Sequence, residues 1–213
     1  MFDERPPLAS KPQSCAHTTL IYLHGFNSSP ESHKAQFLKT YLESAAYNCD
    51  YIIPRLSFSP AEVETAISVL IEAQLERGPV ALIGSSLGGY YGVYFAEKYG
   101  LKAALINPAV KPYELLIDYL GENQNLYSGE HYSLTNKHMD ELLAMDIGLI
   151  SRPENLLLLT QTADQTLDYR EALLKLKRSP AWIQSGGSHE YSDFNAVIPA
   201  IMSFLQIPNR SAC

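Results

Sequence analysis

Cysteine is scarce in this chain. Cys15, Cys49 and Cys213 stand far apart, without a C-x-x-C pair or a histidine at a zinc-ligand interval, which excludes a disulfide scaffold and a structural zinc site and leaves reduced thiols. Basic residues are also few, 16 against 23 acidic, and the resulting formal charge of −7 lacks the positive face that nucleic acid or an anionic membrane requires. No apolar run approaches the ~20 residues of a membrane-spanning helix. The opening stretch, MFDERPPLASKPQ, has acids and prolines where a secretory leader would have a basic start and an apolar core. Neither G-x-G-x-x-G nor the lysine of a phosphate-binding loop occurs, so no nucleotide cofactor is expected. Together these absences predict a cytoplasmic protein that acts on a small molecule.

What the chain does have is apolar residue, 46% of 213 positions, enough for one domain with a substantial core. Residues 1–17 read as a mobile, polar lead-in, and residues 18–213 as a single domain. Six short apolar runs follow: TTLIYLHGF (18–26), CDYIIP (49–54), VALIGS (80–85), KAALINP (102–108), NLLLLT (155–160) and AWIQSG (181–186). Most lack polar alternation, the mark of strands buried on both faces of a parallel sheet. Between them the patterns at 32–47, 60–77, 86–99, 168–177 and 194–205 predict helices, with Ser59 before Pro60 as a start signal and Gly78 and Gly100 as stop signals. Strand and helix in alternation predict a doubly wound α/β fold, whose ligands bind beyond the carboxyl ends of the strands. The interval from about 111 to 148 breaks this rhythm. It reads as two helical pieces, PYELLIDYL and LTNKHMDELLAMD, around a polar GENQNLYSGEHYS with no strand, a length of insertion that points to a lid or binding loop.

The chemistry centres on LIGSSLGGYYG (82–92), where Gly84-Ser85-Ser86-Leu87-Gly88 fits G-x-S-x-G with Ser86 in the middle. A strand that reverses sharply into a helix forces a strained backbone at the turn residue and excludes bulk two positions away on either side, leaving the hydroxyl exposed above the sheet. Leu87 then places its backbone N–H at a helix N-terminus, suited to a developing oxyanion. A serine hydroxyl needs a base, and on this architecture the acid and the histidine come later in the chain. Only His189, in SGGSHEY, follows the strand at 155–160. His17, His24 and His33 come too early, and His131 and His138 fall within the insertion. LLLLTQTADQTLDY offers two acids: Asp164, in the loop beyond a strand end, is favoured over Asp168, which opens a helix and has a sufficient role there as its cap. The loop after the first strand, YLHGFNSSP, supplies the Phe26 N–H as a second oxyanion donor, with His24 bracing the turn and Ser28 and Ser29 forming a polar turn before the next helix. The insertion's Tyr113, Tyr119, Tyr127 and Tyr132 are candidates for the substrate entrance.

The segments IYLHGFNSSPESHKAQ, LIGSSLGGYYG, LINPAVKPYELLIDYLGENQNLYSGEHYSL, LLLTQTADQTLDYREA and GGSHEYSDF resemble the YqiA-type esterases of the α/β-hydrolase superfamily, with GSSLGGYY and YLGENQN the specific stretches. The resemblance departs at Ser188, where the family often has an acidic residue, and at Ala163, where it often has glycine. It implies a compact α/β-hydrolase fold whose mostly parallel sheet has about six strands, helices on both faces, and a small helical cap at about 111–148. It further implies a triad at Ser86, Asp164 and His189 that hydrolyses a carboxylic ester or an acyl thioester without metal or organic cofactor. An acyltransferase with the same triad and a non-catalytic ligand-binding protein on the same fold are the alternatives.

Overall fold

The computed structural model describes residues 17–125 and 127–210. Most of the lead-in, together with Cys15 and Cys213, lies outside the described residues. In chain order the elements are β1 (Thr18–Leu23), α1 (His33–Ser44), β2 (Cys49–Ile52), α2 (Pro60–Leu75), β3 (Val80–Ser85), α3 (Leu87–Tyr99), β4 (Lys102–Ile106), α4 (Pro112–Leu115), β5 (Gly121–Gln124), β6 (His131–Leu134), α5 (Asn136–Ala144), β7 (Leu156–Gln161), α6 (Tyr169–Lys175), β8 (Ala181–Gln184) and α7 (Phe194–Phe204). The six strands read from the apolar runs form one sheet in the order β2-β1-β3-β4-β7-β8, and every neighbouring pair is parallel. This is an α/β-hydrolase fold.

The continuous apolar runs follow from burial on both faces. Ile21, Leu23, Leu82 and Leu105 pack on one side with Val63, Ile67 and Ile71 of α2 and with α3, whereas Leu20, Tyr22, Ile83 and Ile106 pack on the other with α1 and α7. Successive strand residues point to opposite sides, so neither face can be polar. Each fully buried leucine or isoleucine contributes roughly 2–3 kcal/mol through the water it excludes.

Helix ends also follow local chemistry. Pro60 stands in the first turn of α2, but the Ser59 side chain accepts no capping hydrogen bond there. Glu141 of α5 takes that part, its Oε2 accepting from the Ala61 N–H at 3.2 Å and from the Ser59 hydroxyl at 3.4 Å. Gly100 closes α3 in the left-handed region, φ 71°, where a β-carbon would be strained.

The insertion differs from its reading as two helices around a loop. Its first helical piece is a single α turn followed by a 3₁₀ turn over Leu116–Tyr119. The polar stretch contains an antiparallel hairpin, in which Gly121 pairs with Leu134 and Gln124 with His131. The four-residue strands are too short and polar to signal themselves: in β6 only Tyr132 and Leu134 turn inward. Asn125 builds the connection, its Oδ1 accepting from the N–H groups of Tyr127 at 2.9 Å and Ser128 at 3.0 Å. No helix among the described residues is long and apolar enough to cross a membrane.

Candidate active site

The turn from β3 into α3 places Ser86 at φ 56° and ψ −122°, outside the comfortable region for a residue with a β-carbon. The backbone of α3 comes so close to the sheet that a β-carbon on Gly84 would lie 2.2 Å from the Gly88 carbonyl oxygen, and one on Gly88 would lie 1.9 Å from that of Leu23. Only glycine fits these two positions. The Ser86 N–H donates to the Ile106 carbonyl at 3.0 Å, fixing the turn to the neighbouring strand.

The two adjacent serines point to different partners. The Ser85 side chain is buried, and its Oγ accepts from Lys34 Nζ of α1 at 2.9 Å. Burial pushes the Lys34 amine down, while the nearby Glu190 and Asp164 carboxylates oppose that shift. Ser86 Oγ instead lies 3.1 Å from His189 Nε2. The opposite ring nitrogen, Nδ1, lies 2.8 Å from Asp164 Oδ2. An ionised carboxylate can only accept, so Nδ1 carries the imidazole proton and Nε2 faces the hydroxyl as an acceptor.

Asp164 sits in the loop after β7, its side chain 2% exposed. Burial alone would raise its carboxyl pKa. Hydrogen bonds from His189 and from the Leu167 and Thr166 N–H groups, the latter two on Oδ1 at 2.9 and 2.8 Å, outweigh burial and hold the pKa below the ordinary range. Asp168 is absorbed elsewhere. It caps α6 by accepting from the Arg170 N–H at 3.0 Å and pairs with the Arg170 guanidinium at 2.6 Å.

The loop after β1 reaches the same place. A β-carbon on Gly25 would lie 3.6 Å from Ser86 Oγ, so this backbone abuts the hydroxyl. Among the described residues, neither the Phe26 N–H nor the Leu87 N–H donates to a backbone carbonyl, which leaves both for another acceptor. His24 is buried behind the turn. Its Nε2 accepts from the Leu56 N–H at 3.2 Å, its Nδ1 lies 3.0 Å from the Gly25 carbonyl, and burial holds its pKa below the usual histidine value. A narrow cavity of about 50 Å³, partly open to solvent, is lined by Phe26 and Leu87 and, under the insertion, by Phe58, Tyr132, Met139 and Leu142. Of the four tyrosines read as an entrance, Tyr132 lines this cavity and Tyr119 packs edge-on against Phe26, centroids 5.4 Å apart. Tyr113 bonds to Asp146 at 3.2 Å, and Tyr127 lies exposed at the hairpin turn.

Two residues that sequence reasoning passed over hold the histidine loop. Asn107, just after β4, donates from Nδ2 to the Ser188 carbonyl at 3.0 Å and the His189 carbonyl at 3.1 Å, and its Oδ1 accepts from the Gln161 N–H at 3.0 Å. Gln161, at the end of β7, accepts on Oε1 from the Ser188 and Ser192 N–H groups at 2.9 and 2.8 Å and donates from Nε2 to the Ser192 carbonyl at 2.7 Å and Gln184 Oε1 at 3.0 Å. Both are buried. The available signal was an amide closing each of two apolar runs, LIN and LLLLTQ, at the same edge of the sheet.

The sequence profile of the uncharacterised protein family UPF0227 matches residues 19–206. The chain belongs to the UPF0227 family. This is the YqiA-like family that the GSSLGGYY and YLGENQN stretches resemble. Solved structures share its fold. A putative hydrolase from Agrobacterium vitis S4 is 21% identical, with 89% of the UPF0227 chain and 88% of the hydrolase covered at a TM-score of 0.68. The mouse α/β hydrolase domain-containing protein 10 is 16% identical over 88% and 89% of the two chains, TM-score 0.66. A monoacylglycerol lipase from Paleococcus ferrophilus is 19% identical over 88% and 93%, TM-score 0.63. At such identities the likeness establishes the architecture.

Proposed function

We propose that this UPF0227 protein is a cytoplasmic serine esterase that hydrolyses carboxylic esters or acyl thioesters through an acyl-enzyme on Ser86. The observation that carries this reading is the unbroken hydrogen-bonded line from Asp164 through His189 to Ser86 Oγ. The naming of fold relatives as a hydrolase and a monoacylglycerol lipase supports it.

In the first step Ser86 Oγ attacks the substrate carbonyl while His189 Nε2 takes the hydroxyl proton. Asp164 holds the ring in the required tautomer and stabilises the imidazolium. The carbonyl oxygen gains negative charge and is met by the Phe26 and Leu87 N–H groups, each worth on the order of 3 kcal/mol in the transition state. His189 then gives its proton to the leaving oxygen or sulfur as the C–O or C–S bond breaks. Water, deprotonated by the same imidazole, attacks the acyl-enzyme; the acyl–Ser86 bond breaks as His189 returns the proton to Oγ, and the acid is released. The cavity beyond Phe26 and Leu87 takes the acyl group, and the insertion at 111–148 roofs it as a cap.

The test is turnover of an acyl-length series of p-nitrophenyl esters and CoA thioesters by wild type and Ser86→Ala in parallel. Wild type should hydrolyse part of the series, and the variant should fall to background with its melting temperature preserved. Undiminished turnover by Ser86→Ala would defeat the assignment.

A further inference from the structure

The YLGENQN stretch is the most distinctive part of the insertion, yet none of its side chains enters the mechanism above. Its Asn125 reaches across 97 residues of sequence to the loop that carries Phe26, where Nδ2 donates to the Ser28 carbonyl at 3.1 Å. A second contact comes from the other hairpin strand: the Tyr132 hydroxyl donates to Asn27 Oδ1. Tyr132 is 7% exposed, and its ring stacks on Phe58 at 4.7 Å between centroids, which fixes the direction of that hydroxyl.

The loop needs such restraint. Residues 25–28 belong to neither a strand nor a helix, and their own closing bond, Ser28 N–H to the Gly25 carbonyl, is long at 3.3 Å. Asn27 occupies the left-handed region at φ 51°, a conformation that a non-glycine residue holds only when its surroundings enforce it. Both hydrogen bonds from the hairpin land on the two residues immediately after Phe26. The same Asn125 amide is already oriented, because its Oδ1 is occupied by the Tyr127 and Ser128 N–H groups while Nδ2 extends to the loop.

We infer that Asn125 and Tyr132 are positioning residues that aim the Phe26 N–H at the developing oxyanion, so that the oxyanion site is complete only while the hairpin is docked. This rests on the esterase reading proposed above. A preorganised donor stabilises charge only at the right distance and angle, so releasing the turn removes stabilisation from the transition state and leaves ground-state binding largely intact.

The experiment uses the full chain with Asn125→Asp, Tyr132→Phe and the double variant. Asp at 125 retains the acceptor that folds the hairpin turn but loses the donor, and Phe at 132 retains the ring stack but loses the hydroxyl. Steady-state hydrolysis of a short p-nitrophenyl ester and inhibition by an alkylboronic acid are measured with melting temperatures. We expect kcat to fall about 10-fold in each single variant and about 100-fold in the double, within the 10²–10³-fold typical of losing one oxyanion donor. KM should stay within about two-fold, the pH profile should keep its shape, and boronate affinity should fall in step with kcat/KM. Retention of both kcat and boronate affinity in the double variant, or a loss confined to KM, would overturn the proposal; if the double variant does not fold, the two single variants decide by the same criteria. Wild-type turnover and its disappearance in Ser86→Ala report separately on the esterase reading. Should those fail, both proposals fall; should they hold while the hairpin variants remain unaffected, only this one does.

Discussion

Gln161→Met is the most telling perturbation of the histidine loop, because methionine nearly matches glutamine in shape but offers the loop no amide. Four hydrogen bonds disappear: two accepted from the Ser188 and Ser192 N–H groups, one donated to the Ser192 carbonyl and one to Gln184. At about 1 kcal/mol net for each, the loss is roughly 4 kcal/mol if the loop stays in place. The loop is partly exposed, so it can relax outward and find water instead, which reduces the stability cost and transfers the damage to His189. A displacement of about 1 Å from its 3.1 Å contact with Ser86 Oγ lowers kcat about 10²-fold. The expected result is therefore a kcat loss near two orders of magnitude with KM little changed, accompanied by a fall in melting temperature of up to roughly 10 °C for a chain of this size. Ester hydrolysis well below the melting transition, with a thermal scan of the same samples, measures both. If kcat stays within two-fold of wild type, or falls only in proportion to the unfolded fraction, the reasoning about Gln161 is wrong.

The two aspartates should separate cleanly. Asp164→Asn is expected to lower kcat about 10⁴-fold by allowing the wrong imidazole tautomer, whereas Asp168→Ala should leave kcat unchanged and lower the urea midpoint slightly through the lost α6 cap; the reverse order of damage would reassign the acid. Stability should also carry a signature of His24. Burial holds its folded pKa below the unfolded value of 6.5, so the unfolded chain takes up the proton first, and the contribution is complete well above pH 6.5 and is lost progressively as pH falls from that value through the lower folded pKa. In urea titrations from pH 8 to pH 5, the gap between wild type and His24→Gln should narrow towards acid, and a gap independent of pH would contradict the assignment.

The sheet was legible because a strand buried on both faces has no polar position to confuse its pattern, so VALIGS and KAALINP declare themselves. Ser86 was legible because steric exclusion at Gly84 and Gly88 leaves a trace in residue identity. The hairpin was not, since its strands are short, its sequence polar, and its fold set by Asn125 hydrogen bonds and by Tyr132 packing on Phe58. Asn107 and Gln161 escaped notice for a related reason. An amide at a strand end is ordinary until the partner loop, 81 positions away for Asn107 and Ser188, is brought beside it. The reading of Asp164 over Asp168 rested on loop against helix cap, and Asp168 does cap α6.

The backbone angle at Ser86 sets stability against chemistry. A residue with a β-carbon at this φ sits about 1 kcal/mol or more above glycine in the same conformation. On the esterase reading proposed above, the sturdiest version of this protein is therefore not the competent one: screening for heat resistance alone would favour glycine at position 86 and remove the hydroxyl along with the strain.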